Sequence, residues 1–337
     1  MSPPKRPDDW RTFGWHGITL RVPKGWDLGK VTGNARSGYV RLDDLEIARV
    51  EVEWRSDPPP RPVSQIVDRY LANLEREASR KATAFDVQRH LHLVKDEEAL
   101  KGHEYECFRW RADYQAYNLA RRCGDCGRLV LVRIFAKRNE RLEDVIRSVL
   151  ASLGDHPEKG MNTWAIYDLM CYVPEEFGLL ESGLKSGDIR LTFQDPAAKK
   201  TDHTLEVEYV SLASVLLSQA SLIEWFESFF AKSLKDFEIT HQEQAIQGHS
   251  GVEVRGRPKP RWRQLLKPMP FLSPRPRRHM KARAWHCEES NKIYVIRAYS
   301  KNPSDGLLEV IPIEVVCHQA KAASKPRGHA ELSARPQ

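Results

Sequence analysis

Cys123-Gly124-Asp125-Cys126 is the one place in this 337-residue chain where two thiols stand at the spacing used for metal or disulfide-exchange chemistry. A redox dithiol needs a helix N-terminus whose dipole lowers the thiol pKa. Here the pair brackets a Gly-Asp turn leading into an apolar strand at 128 to 135, so that mechanism is missing. A structural zinc needs four ligands. A second Cys-x-x-Cys or a His-x-x-x-His is absent, and His103, Cys107 or Cys287 would have to be recruited from elsewhere in the fold. Cys123 and Cys126 are the candidate metal ligands, while the expectation is thiols in a turn, with no metal and no cofactor.

Glu51 and Glu53, like Glu206 and Glu208, lie two apart in strand-like segments and share a face. Paired carboxylates can act as general acid and base, but alternation of Glu with Val or an aromatic also describes a half-solvated strand, which is the reading adopted. Gly102-His103 and Gly248-His249 offer two histidines, each at a hairpin turn where Gly supplies positive φ and the next residue starts the return strand. No Gly-x-Ser-x-Gly elbow and no Gly-x-x-x-x-Gly-Lys phosphate loop occurs. No catalytic residue is assigned.

The strongest recognition feature is a basic, proline-rich segment at 256 to 280. From Arg255 to Arg283 there are eleven Lys or Arg and no Asp or Glu; against a formal net charge of +7, the rest of the chain is net acidic. Arg261, Trp262, Arg263, Lys267, Phe271, Arg275, Arg277 and Arg278 are its candidate partner-binding residues. Basic residues interleaved with apolar ones suit an acidic protein, a nucleic-acid backbone or an anionic membrane surface.

With 41% hydrophobic and 29% charged residues the chain reads as a soluble globular protein, and no apolar run approaches the roughly 20 residues of a transmembrane segment. The N-terminus lacks the apolar core of a signal peptide. Six cysteines without a dense framework spacing suit a reducing compartment, so the expected location is cytoplasmic.

The elements that must position these residues come in two series. Trp15 and the segment Ile18 to Trp26 return as Trp164 and the segment Tyr167 to Phe177. Ser37-Gly38, Glu51-Val52-Glu53 and Gly102-His103 return as Ser186-Gly187, Glu206-Val207-Glu208 and Gly248-His249. Cys123 and Arg133, ten apart, return as Cys287 and Arg297. The chain reads as two divergent copies at 15–153 and 164–317, with residues 1–14 a disordered lead and 318–337 a disordered tail. In each copy strands come in two antiparallel groups, with a helix between them and an apolar segment at the end. The segment 256 to 280 is an insertion between two paired strands of the second copy. The expected fold class is α+β: two tandem α/β sandwich units, each an antiparallel sheet covered by helices.

A first strand ending in Val22-Pro23-Lys24-Gly25-Trp26, followed by a meander, a helix, a second antiparallel group and a terminal helix, resembles the PsbP/Mog1-like family. The second copy keeps Val173-Pro174 but has Glu176-Phe177 in place of Gly-Trp. The resemblance implies the sandwich fold and a binding or assembly role without a shared catalytic centre, and it carries no site residue over. The expected function is non-enzymatic binding or assembly with a macromolecular partner, a protein before other classes, through the basic loop and the groove between the units. The alternatives are a hydrolase or lyase with a site in that groove, and a charge-driven binder of nucleic acid or an anionic surface.

Overall fold

The computed structural model describes residues 9–94, 97–198, 202–259 and 277–318. The chain opens with the hairpin β1 (Trp10–Trp15) and β2 (Ile18–Pro23), then β3 (Asp27–Gly33), β4 (Ser37–Asp43) and β5 (Ala48–Arg55). Helix α1 (Val63–Arg80) follows, then β6 (Asp86–Gln88), β7 (Glu104–Arg111), β8 (Tyr114–Arg122), β9 (Leu129–Lys137) and α2 (Glu143–Ala151). The second series runs β10 (Met161–Ile166), β11 (Leu169–Pro174), β12 (Gly178–Lys185), β13 (Asp188–Gln194) and β14 (Thr204–Ser211). Three short helices come next, α3 (Ala213–Leu216), α4 (Leu222–Phe229) and α5 (Ala231–Leu234). The chain continues with β15 (Phe237–Ile246), β16 (His249–Pro258), β17 (His279–Cys287), β18 (Lys292–Ser300), α6 (Gly306–Glu309) and β19 (Glu314–Val315).

The expected α+β class is overturned. Strand makes up about 49% of the structure and helix about 18%, in three large antiparallel sheets, so the fold is mostly β. The physical reason lies in the opening hairpins. Each pairs its strands over six residues through a two-residue turn, His16-Gly17 or Tyr167-Asp168. These hairpins leave their own units and pair with each other, β1 against β10 at Gly14↔Ala165, in a five-stranded sheet of order β19-β11-β10-β1-β2. A Cβ on Gly14 would stand 2.6 Å from the Thr163 carbonyl oxygen, so glycine is what lets the two hairpins approach.

The other two sheets have seven strands each, in the orders β3-β4-β5-β9-β8-β7-β6 and β12-β13-β14-β18-β17-β16-β15. Strand for strand these are the same order. One hydrophobic core joins all three sheets and includes Trp15, Leu20, Val52, Ile134, Ile146, Trp164, Val207 and Trp285. Outside it, α1 covers part of the first seven-stranded sheet through Val63, Val67 and Leu71, and α4 and α5 cover the second through Trp225, Phe226, Phe230 and Leu234. Ser221 caps α4, exchanging hydrogen bonds with Glu224 in a capping box.

The chain is already in β1 at Trp10, within the stretch expected to be disordered; residues 1–8, and the tail from 319 onward, lie outside the described residues. The second strand group of the first copy opens with only the three residues of β6, and β3 and β12 are mostly exposed. No helix among the described residues is long and apolar enough to cross a membrane.

Candidate functional site

The two-residue period of β5 places Glu51 and Glu53 on one face, and the register sets Arg133 of β9 directly opposite Glu51. Its Nε donates to Glu51 Oε2 at 2.8 Å and its Nη2 to Glu53. The Tyr39 hydroxyl donates to Glu51 Oε1 at 2.6 Å, and the Tyr70 ring of α1 lies 5.8 Å from the guanidinium. The second copy repeats the set: Arg297 stands opposite Glu206, its Nη2 lying 2.7 Å from Glu206 Oε2 and 3.3 Å from Glu208 Oε2. Burial pushes Glu208 up to about 7 against the pull of Arg297, whose nearest carboxylate is Glu206. The half-solvated face is kept by Glu51 and by Glu53, 48% exposed, and is corrected for Glu208, which is buried. In both copies the glutamates close on an arginine from the neighbouring strand, the counter-ion that two like charges on one strand face need. Arg133 and Arg297 were visible as a repeated position; their partners depended on strand order.

The copies differ above this ion cluster. In the first, α1 covers only part of the sheet and leaves a cleft of about 520 Å³. Trp54, Ile66, Tyr70, Phe108, Leu129 and Leu131 supply its apolar lining, and Arg55, Arg61 and Arg69 are exposed along it. These three arginines have no carboxylate within ion-pair distance among the described residues, while the cleft's Glu53 is held by Arg133. In the second copy the same face is closed. Phe230 lies 3.9 Å from the Arg297 guanidinium and packs on Phe226, and Trp225 stacks on Phe229. The register makes the contrast specific: Leu131 sits opposite Glu53 and is half-buried, whereas Val295 sits opposite Glu208 and is fully buried.

The carboxylates and histidines of the enzyme alternative do not meet in one groove. Glu51, Glu53, Glu206 and Glu208 are committed to their arginines, and His103 Nδ1 accepts the Gly124 N–H at 3.3 Å. The pocket between the units, about 300 Å³, takes His16, Cys126, Arg128, Asp155 and His156 from one series and Trp164, Glu175 and Phe177 from the other. Burial among the rings of Trp15, Trp54 and Trp164, with Arg128 adding to it, lowers His16 to about 4.

All six cysteines are free thiols. Around the Cys123-Cys126 pair the structure gathers a third donor: His156 Nε2 lies 2.9 Å from Cys123 Sγ and 3.6 Å from Cys126 Sγ. A second group, His249, Cys287, Cys317 and His318, assembles at the corresponding end of the other seven-stranded sheet. Sequence reading missed this group because Cys317 and His318 lie in no recognisable spacing; the repeated positions of His103 with His249 and Cys123 with Cys287 were its only signal.

Of the basic segment, Arg261, Trp262, Arg263, Lys267, Phe271 and Arg275 lie outside the described residues. Arg277 is exposed. Arg278 is partly engaged, with Nε 3.4 Å from Asp202 Oδ2 and its guanidinium 5.5 Å from the Tyr299 ring.

No protein-family model matches the chain, and no curated protein matches its sequence. Among solved structures it is similar to the apo immunity protein TplEi of the type VI secretion system from Pseudomonas aeruginosa, at 13% identity and a TM-score of 0.35, over 92% of this chain and 98% of that one. A likeness at that level carries neither fold nor function from that protein to this chain.

Proposed function

We propose that this chain is a non-enzymatic protein-binding or assembly module, and that the cleft of its first unit takes an apolar anchor flanked by carboxylates from a partner protein. One contrast carries the reading: the same sheet face is closed by aromatic side chains in the second unit and left open over Leu129 and Leu131 in the first. Apolar floor and uncompensated arginine rim together favour an acidic, apolar-anchored segment, with the floor supplying affinity and the rim steering. Among the described residues the cleft lining holds no His or Cys, and its one carboxylate is neutralised by Arg133, which leaves no free general base or activated thiol among them. The basic segment at 256 to 280 belongs to this reading as a second contact, by its charge alone. The free thiols favour a reducing compartment, and a cytoplasmic location is part of the proposal.

The test is a displayed random-peptide library panned on the full chain. Enriched peptides should carry an apolar residue between Asp or Glu and should fail to bind the Arg61→Glu/Arg69→Glu variant. Binders without carboxylates, or binders indifferent to that variant, contradict the assignment of the cleft.

A further inference from the structure

We propose that His249, Cys287, Cys317 and His318 form a structural zinc site at the end of the second seven-stranded sheet. Strands β16 and β17 are antiparallel neighbours, so His249 at the start of one and Cys287 at the end of the other arrive at the same sheet end. Cys317 and His318 come from the segment after β19, held there by the Tyr294 hydroxyl, which donates to the Cys317 carbonyl at 3.2 Å. Cys317 Sγ lies 3.3 Å from His249 Nε2 and 3.3 Å from His318 Nδ1, and Cys287 Sγ lies 3.4 Å from His318 Nδ1. All four donor atoms fall within 4.8 Å of one another.

Zinc bonds of about 2.0–2.1 Å to nitrogen and about 2.3 Å to sulfur, arranged as a tetrahedron, put ligand atoms about 3.3–3.8 Å apart. The sulfur–nitrogen separations match that spacing. Two thiolates and two imidazoles select zinc over calcium or magnesium, which take oxygen ligands. Four protein donors, with both thiols buried, leave no position for a substrate, which makes the site structural.

The first unit supplies an independent observation. Cys123 follows β8 as Cys287 ends β17, and His156 comes from the segment after α2 as Cys317 and His318 come from the segment after β19. Cys123, Cys126 and His156 gather there, so two sheets of the same strand order both collect thiols and an imidazole at one end. With four donors, the second set is the complete one. An ion there would tie the segment after β19 to the second seven-stranded sheet, since β19 itself pairs with β11 in the central sheet through Cys171↔Val315.

The test is the zinc content of the full chain purified under reducing conditions. Cys287→Ser/Cys317→Ser should lose one zinc per chain relative to the parent, while Cys123→Ser/Cys126→Ser should keep that one. A second measurement guards against a variant that merely misfolds: cobalt(II) added to the chelator-treated parent should give the spectrum of a tetrahedral thiolate site. His249→Cys should retain that spectrum with sulfur-to-cobalt charge-transfer absorbance raised by about half, as two thiolates become three. A parent chain that carries no zinc and gives only the weak spectrum of octahedral cobalt, or recovery of Cys287 and Cys317 as a disulfide from the reduced preparation, overturns the proposal.

Discussion

Gly14 of β1 lies directly opposite Ala165 of β10, and its missing side chain leaves room for the Thr163 carbonyl that a Cβ would meet at 2.6 Å. The pairing of the two opening hairpins therefore rests on a residue without a side chain, and through it one core spans both units.

Gly14→Val should cost about 2–4 kcal/mol, because the clash is with backbone that cannot rotate away. Since the core is continuous, urea denaturation followed by fluorescence and by circular dichroism should give one coincident transition, shifted as a whole. An unchanged midpoint, or two transitions of which only one moves, contradicts the shared sheet.

The arginine clusters should differ in worth. Arg297→Met leaves Glu206 and the buried Glu208 without their counter-ion and should cost about 3–5 kcal/mol. Arg133→Met should cost less, since Glu53 is 48% exposed and water can take over part of its charge. Equal losses in chemical denaturation would show that burial does not separate the two copies.

Much of this architecture was legible in the strand sequences: β2 and β5 show two-residue patterns, and β9 is a largely apolar run. β3 and β12 were not, because they are mostly exposed, each carries two glycines, and their apolar residues do not alternate. The allocation of β1 and β10 to a sheet of their own is a long-range pairing between hairpins, which periodicity does not encode. The same limit applies to the sites. Glu51 and Glu53 stood out by spacing, but Arg133 joins them only through strand order, and Cys317 and His318 reach Cys287 only once the segment after β19 lies against the sheet.

His16 gives the pH dependence. Its folded pKa of about 4 lies below the ordinary value of 6.5, so the unfolded chain takes up the proton first as pH falls. Its stabilising contribution is complete above about pH 6.5 and is lost as pH drops through about 4, an effect of about 3 kcal/mol. His16→Asn, which tolerates the positive φ of this turn position, should flatten the dependence of the urea midpoint on pH between 7 and 4. The parent slope persisting in the variant would assign the effect to another group.

The open cleft over Leu131 is the centre of the functional account, and calorimetric titration of a selected acidic, apolar-anchored peptide tests it most directly. Leu131→Trp fills the cleft from its floor and Arg61→Glu/Arg69→Glu reverses its rim. Each should weaken binding by about 10-fold or more while the melting temperature stays within a few degrees of the parent. Affinity unchanged in both folded variants would contradict the account and move the binding surface elsewhere on the molecule.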